Sequence, residues 1–243
     1  MLYLRSTLFN LVFYGASVII VFLGLPLFLG PRSGAMWISR QWSLLTIWLL
    51  RVLAGTKYEI RGREFMPSDP ALVAAKHQSM WDTIIATAVF DDPAMIMKRE
   101  LLYIPFYGWY TAKAGMIAIN RGAHASALRK MLAAARRESA NGRPIIIYPE
   151  GSRVAPDAAP DYKIGVAALY KHLKLPCIPV ATNSGLYWPR RRFLRHPGTI
   201  VLEFLPPIPP GLSREAFMAR LIGTIEPATA RLLAEGRREI ARH

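Results

Sequence analysis

The sequence predicts an α/β domain with a largely parallel or mixed sheet flanked by helices, preceded by an N-terminal membrane-associated helical hairpin. Three observations predict it. From about Thr56 onward, short strand-like runs alternate with helix-like ones. Several of those runs, Ile145-Ile146-Ile147 among them, are continuously apolar, as strands covered on both faces are. Ahead of them, Leu8 to Leu29 is a 22-residue stretch with only Asn10 and Ser17 as polar interruptions.

At about 1.5 Å per residue, Leu8 to Leu29 would extend about 33 Å as a helix, enough to cross a bilayer core. A cleavable signal peptide is the competing reading, since Arg5 supplies a basic start. The stretch is long for that role, and no small-x-small cleavage site follows it. A second segment, Trp37 to Leu53, mixes Arg40, Gln41, Ser43, Thr46 and Arg51 with apolar residues. Helical spacing sets Arg40 and Arg51 within about 20° of each other, with Trp37 and Trp48 repeating at the same interval on a rotated face. Such a helix suits the headgroup interface, with Trp37 and Trp48 as membrane contacts; an amphipathic helix packed on the domain is the equal alternative. In a hairpin, Arg5 and the basic stretch Lys57, Arg61 and Arg63 share one side, and only Arg32 sits in the connection. The positive-inside bias then places the main domain in the cytoplasm. Asn10 and Pro26 leave open a re-entrant hairpin that never fully crosses. Residues 1–55 are thus expected to be the membrane anchor and 56–243 the folded domain.

In that domain the expected strands are Lys57–Ile60, Ala71–Ala75, Ala94–Met97, Met116–Asn120, Ile145–Tyr148, Cys177–Thr182 and Thr199–Phe204. Expected helices are Asp82 to Val89, Ala123 to Ala140 (rich in good helix formers), Ile164 to His172 and Ser213 to Ile222. Pro206 to Pro210 reads as a turn-rich connection.

The net charge of +15 asks for an anionic partner: nucleic acid, an acidic membrane surface or a phosphorylated substrate. The first 55 residues hold no acid and four bases in mostly apolar sequence, which favours a membrane. No nucleic-acid-binding motif accompanies the charge, so nucleic acid is not expected as a partner. One cysteine, Cys177, excludes an internal disulfide; in the run Leu175-Pro-Cys-Ile-Pro-Val180 it reads as core.

The candidate chemistry lies where apolar runs end. His77-Gln-Ser-Met-Trp-Asp82 follows the second strand. Five residues apart on one helix, His77 and Asp82 would point about 140° apart, so they meet only across a strand-to-helix turn with Asp82 in the first helical turn. An aspartate accepting from one imidazole nitrogen leaves the other free as a base. A capped helix with an ordinary histidine nearby is the plainer alternative. Zinc is not expected, because no nearby histidine or cysteine completes a ligand set. Tyr148-Pro-Glu-Gly-Ser-Arg153 follows another buried run: Gly151 permits an unusual backbone angle, Arg153 offers a planar fork for phosphate, and Glu150 could orient Arg153 or a substrate hydroxyl. Ile117-Ala-Ile-Asn-Arg-Gly122 puts Arg121 at a strand end before a helix. Pro179-Val-Ala-Thr-Asn-Ser-Gly185 is a further strand ending in small polar residues. Tyr187-Trp-Pro-Arg-Arg-Arg-Phe-Leu-Arg195 combines arginines with aromatics, and Trp188, Arg190, Arg191 and Arg192 read as contacts to acidic headgroups; a solvated basic loop is the alternative.

In order and spacing, these blocks resemble the glycerolipid acyltransferase family, most nearly the bacterial 1-acyl-sn-glycerol-3-phosphate (lysophosphatidic acid) acyltransferases. The His-x4-Asp block is His77 and Asp82, and the Glu-Gly-Thr/Ser-Arg block is Glu150, Gly151, Ser152 and Arg153. The block ending in arginine keeps Arg121 but carries Asn120 where an acid is usual. Pro179 matches the fourth block, and Lys98-Arg-Glu-Leu-Leu-Tyr-Ile-Pro-Phe-Tyr-Gly108 is also similar. The resemblance runs from about residue 57 to 210. It implies that a lysophosphatidate hydroxyl attacks an acyl thioester, of coenzyme A or acyl carrier protein, to give phosphatidic acid. It also implies His77 as general base, Asp82 as its orienting partner, and Arg121 and Arg153 on the glycerol phosphate, with Glu150, Gly151 and Ser152 shaping that site and Lys98 assisting. No cofactor is implied, since the thioester is already activated. The resemblance and the membrane segment together predict the inner (cytoplasmic) membrane of a bacterium, with the catalytic domain facing the cytoplasm. An acyltransferase for another lyso-lipid, such as a lyso-ornithine lipid, is the neighbouring alternative; a catalytically dead scaffold would not need the His77–Asp82 pair.

Overall fold

A computed structural model describes residues 1–120 and 124–242. Seven strands form one mixed sheet: β1 (Thr56–Arg61), β2 (Leu72–Ala75), β3 (Ala94–Lys98), β4 (Ile117–Ile119), β5 (Ile145–Ile147), β6 (Cys177–Thr182) and β7 (Gly198–Phe204). Their order across the sheet is β1-β7-β6-β2-β5-β3-β4, and every pairing is parallel except β6 with β7. All seven expected strands are present, with ends shifted by a residue or two. Alternate residues of each strand enter different cores. Val73, Ile146, Ile178 and Ile200 face one side, while Leu72, Ile145, Cys177 and Val201 face the other. Cys177 is buried, and that burial pushes its thiol far above the usual range.

Helices cover both faces. On one lie α5 (His124–Ala140), α6 (Gly165–Leu173) and α8 (Arg214–Ile240); on the other lie α1 (Leu2–Leu23), α2 (Arg32–Leu49) and α3 (Trp81–Val89). Two shorter helices, α4 (Tyr107–Lys113) and α7 (Ser184–Tyr187), escape the sequence pattern because each is under two or so turns. Helix α8 is far longer than Ser213 to Ile222. Pro227 lies inside it and reads as a stop signal, yet the helix continues because Ile225, Ala228 and Leu232 keep its buried face against the sheet.

The N-terminal hairpin differs from its expected form. Helix α1 begins at Leu2 and ends at Leu23, and a 3-10 turn takes Leu25–Leu29. Long and apolar enough to cross a membrane, it is mostly exposed, burying one side of its first half and touching the domain again near its end. At its start, Arg5 Nε donates to the Leu53 carbonyl (3.0 Å), and Asn10 Nδ2 to the Phe193 carbonyl (3.2 Å). At its far end, the Tyr110 hydroxyl donates to the Val21 carbonyl (2.9 Å), and past it Lys113 Nζ donates to the carbonyls of Phe28 and Gly30 in and after the 3-10 turn (2.8 Å each). Phe9 and Phe13 are buried in the core shared with β2, β5 and β6. Arg32, at the tip, grips Asp92 through both guanidinium nitrogens. Residues 1–55 therefore contribute to the domain core. The end of this segment is marked by Gly55, whose left-handed backbone turns α2 into β1.

Candidate active site

Parallel β2, β5 and β6 end side by side, so the loops that follow them meet at one edge of the sheet, where open α/β folds collect ligands. His77 leaves β2 after Lys76, whose N–H still pairs with the Val180 carbonyl (2.9 Å). The chain then folds back: the N–H groups of Gln78 and Ser79 both donate to Asp82 Oδ2, at 2.7 and 2.8 Å. Asp82 sits in the first turn of α3, held down by the fully buried Trp81 beside it. His77 Nδ1 lies 2.9 Å from the same Asp82 oxygen. An ionised carboxylate only accepts, so Nδ1 carries the proton and Nε2 is left as the basic nitrogen. His77 and Asp82 thus straddle a strand-to-helix turn, the one arrangement open to them.

Three further side chains complete this corner. The Ser184 hydroxyl, arriving from the end of β6, donates to Asp82 Oδ1 at 2.5 Å. The Tyr148 ring stacks on the imidazole (4.2 Å between centroids), while its hydroxyl donates to the Asp82 carbonyl at 2.8 Å. Gly185 N–H donates to Gln78 Oε1 at 3.1 Å, tying the β2 and β6 loops together. Sequence reasoning assigned no role to Ser184 or Tyr148, although both stand at ends of strands adjacent to β2. Lys76 was also passed over; its signal is a cation directly following a wholly buried strand.

The loop after β5 carries the second expected block. Gly151 adopts a left-handed backbone (φ 69°) and donates to the Tyr148 carbonyl at 2.8 Å, closing a tight turn. Glu150 makes other contacts than the one expected with Arg153. Its carboxylate is buried and turned inward, with Oε1 2.6 Å from Lys76 Nζ and Oε2 accepting the His77 N–H at 3.2 Å. Oε1 pairs with Lys76 and Oε2 with the His77 N–H, and neither meets Arg153 among the described residues. Burial pushes the Glu150 carboxyl up, against the pull of Lys76. Ser152 and Arg153 follow on the open side of the turn. Val154 N–H donates to the His77 carbonyl (2.9 Å), which fixes this loop beside the histidine.

Arg153 forms no ion pair among the described residues, and neither do Arg190, Arg191 and Arg192. Arg190 Nη1 donates to the Arg153 carbonyl at 2.6 Å, so the arginine loop abuts the site. Partial burial and then the like charges of Arg190 and Arg191 lower the Arg153 pKa. An anion placed there relieves that repulsion. Lys98 is exposed at the end of β3, on the same sheet edge. Arg121 lies outside the described residues.

The expected lipid contacts divide. Trp37 and Trp48 are both more than half exposed on α2, and Arg190, Arg191 and Arg192 are exposed. Trp188 is not a surface residue. It is buried against Phe9 and Phe13 and takes the Arg195 guanidinium over its ring at 4.6 Å. An aromatic next to arginines reads as an interface anchor until the chain supplies an apolar partner, here α1.

A family model described as acyltransferase matches residues 57–183. The chain is 34% identical to a 1-acyl-sn-glycerol-3-phosphate acyltransferase of Pseudomonas aeruginosa, over 84% of this chain and 80% of that one. It is 26% identical to a protein of the same description from Saccharomyces cerevisiae, over 85% of this chain and 69% of the other. The crystal structure of the 1-acyl-sn-glycerophosphate acyltransferase from Thermotoga maritima superposes with a TM-score of 0.76 at 26% identity, covering 97% of both chains.

Proposed function

The chain belongs to the acyltransferase family, and on that premise we propose that it moves a fatty acyl group from an acyl thioester to the free sn-2 hydroxyl of 1-acyl-sn-glycerol-3-phosphate, giving phosphatidic acid. The observation that carries this reading is the His77 Nδ1–Asp82 contact, which leaves Nε2 free to act as a base. Nε2 takes the hydroxyl proton as the oxygen attacks the thioester carbonyl. An O–C bond forms, the C–S bond breaks, and the thiol leaves with the proton returned from His77. The thioester is already activated, so the reaction needs neither an acyl-enzyme intermediate nor a cofactor. Coenzyme A and acyl carrier protein present the same thioester.

Arg153, beside Arg190 and without an ion pair among the described residues, supports a phosphate-bearing acceptor, since a fixed cation not already held by a carboxylate is what an incoming phosphate needs. The exposed face of α1, with Trp37 and Trp48, supports attachment to a membrane that supplies the lipid substrate. Contacts of α1 to the domain through Asn10 near its start and Val21 near its end favour the re-entrant hairpin over a spanning one. Attachment is read as the cytoplasmic face of a bacterial inner membrane, the side on which acyl thioesters are made available.

The test is release of free thiol by the purified protein, with lysophosphatidate and lyso-ornithine lipid as acceptors and acyl coenzyme A and acyl carrier protein as donors. Transfer to lysophosphatidate that is lost in His77→Ala is expected. Strong preference for the phosphate-free acceptor would remove the substrate assignment, and full turnover by His77→Ala would remove the base.

A further inference from the structure

Lys76 is 2% exposed, and its side chain runs beneath the loop that carries His77. Two carboxylates hold its ammonium: Glu150 Oε1 at 2.6 Å and Glu226 Oε1 at 2.8 Å. Glu226 comes from α8, one residue before Pro227. The Tyr162 hydroxyl donates to that same Glu226 oxygen (2.8 Å), and the Tyr162 ring lies 5.8 Å from Lys76 Nζ. Glu150 then passes the arrangement on, because its other oxygen accepts the His77 N–H. Buried ion triads are an expensive way to fill space; apolar side chains of similar volume serve stability as well or better. This triad is immediately behind the base and bonded to its backbone.

We propose that Lys76 is a positioning residue for the acyl transfer, keeping Glu150 in place as the anionic acceptor that fixes the backbone of His77. The proposal rests on the acyltransferase reading above. Its physical content is a division of labour. Asp82 fixes the imidazole ring; Glu150 fixes the main chain from which that ring projects; Lys76 holds Glu150, and Glu226 with Tyr162 holds Lys76. Burial alone drives the Glu150 carboxyl toward its neutral form, and Glu226 adds to that drive, while Lys76 and the His77 N–H oppose it. With Lys76 removed, Glu150 takes up a proton at higher pH and becomes a poorer acceptor. The His77 loop then loosens, and small displacements of a base cost much rate.

The groups facing Glu150 are Lys76 from the end of β2, the His77 N–H and Glu226 from α8, with Tyr162 facing Glu226. A pH profile therefore separates positioning from packing. Steady-state kinetics of full-length protein in lipid vesicles, with lysophosphatidate and acyl coenzyme A, would compare wild type, Lys76→Met and Lys76→Met/Glu150→Gln. In Lys76→Met, kcat is expected to fall about 100-fold with the acceptor KM within about 2-fold of wild type. The acid limb of kcat/KM should move to higher pH, because Glu150 must now lose its proton first. Adding Glu150→Gln should return that limb to its wild-type position, since the amide oxygen accepts from His77 without titrating.

A Lys76→Met enzyme with wild-type kcat and an unmoved acid limb overturns the proposal. So does a loss of kcat with the limb unmoved, which marks a packing role only. Where Lys76→Met does not fold, Lys76→Gln carries the same expectation, because its amide can still donate to both carboxylates without the charge. A readout free of turnover is the proton on His77 Nδ1 seen by NMR of histidine-labelled protein: it should be sharp in wild type and broadened in the Lys76 variant. If wild type releases no thiol with lysophosphatidate, the substrate assignment fails, and this resonance decides the positioning role by itself. An unchanged signal in the variant would end it.

Discussion

The Ser184 hydroxyl meets Asp82 at 2.5 Å on the carboxylate oxygen that His77 does not use, across 102 positions of sequence. Asp82 Oδ2 receives His77 Nδ1 and two backbone N–H groups; Oδ1 has Ser184. A carboxylate so buried keeps one orientation only if both oxygens are satisfied. Ser184→Ala should therefore lower kcat by about 10-fold with KM unchanged and reduce stability by about 1–3 kcal/mol, the cost of an unsatisfied buried acceptor. Kinetics and chemical denaturation of the same preparation check both; a variant normal in each would make Ser184 incidental.

Arg153→Ala should raise the KM for lysophosphatidate about 10-fold or more and leave that for the acyl donor near wild type, as expected for a lost charge-assisted contact to phosphate. Arg190→Ala should act in the same direction and less strongly, because Arg190 reaches the site through the Arg153 carbonyl. An effect confined to the donor KM would reverse the assignment.

Membrane attachment needs a test that spares the core. Deleting residues 1–55 removes Phe9 and Phe13 from beneath the sheet, and Phe9→Ala alone should cost about 3–5 kcal/mol. Exposed Trp37 and Trp48 are the clean probes. The double substitution to serine should weaken binding to anionic vesicles severalfold in a flotation assay while the thermal midpoint stays put. Undiminished binding would shift attachment to α1 or to the Arg190–Arg192 loop.

A second buried network sets the response to acid. Arg143, almost wholly buried, donates to Asp92 Oδ1 (3.1 Å) and Glu138 Oε2 (2.7 Å), and Arg32 adds a second grip on Asp92. Burial pushes both carboxyls up, but hydrogen bonds from Arg32 and Arg143 at Asp92, and from Arg143 and Arg137 at Glu138, outweigh it, and both pKa values end below their ordinary 3.8 and 4.5. Depressed folded values mean stability that is present above those ordinary values and lost as pH falls through the folded ones. The denaturation midpoint should thus hold steady down to the ordinary carboxylate range and fall below it. Arg143→Met should destabilise by about 1–3 kcal/mol at neutral pH, since Glu138 Oε2 loses its donor while Arg137 still holds the other oxygen. A midpoint insensitive to acid in the wild type would show the network to be inert.

Much of this architecture is written locally. Each strand is a short apolar run, and burial of alternate residues in two cores follows from the period of two. The His77–Asp82 relation was also legible, because five residues across a strand-to-helix turn is a property of one short piece of chain. Helix α8 runs past Ile222, where the expected helix ends, and through Pro227, because burial of Ile225, Ala228 and Leu232 against the sheet outweighs the local cost of a proline.

What the sequence determined by itself is therefore the alternation of strands and helices, the two-sided sheet, and the pairing of His77 with Asp82, all governed by nearest-neighbour sterics and periodicity. The tertiary structure decided the rest. Sheet order brings Ser184 to Asp82, turns Glu150 inward to Lys76, delivers Glu226 from the last helix, and covers Trp188 with α1. These contacts join residues tens to nearly two hundred positions apart. No local preference encodes them; they exist because burying two apolar faces of one sheet leaves each loop a single set of neighbours, and buried charge must then find its partner among them.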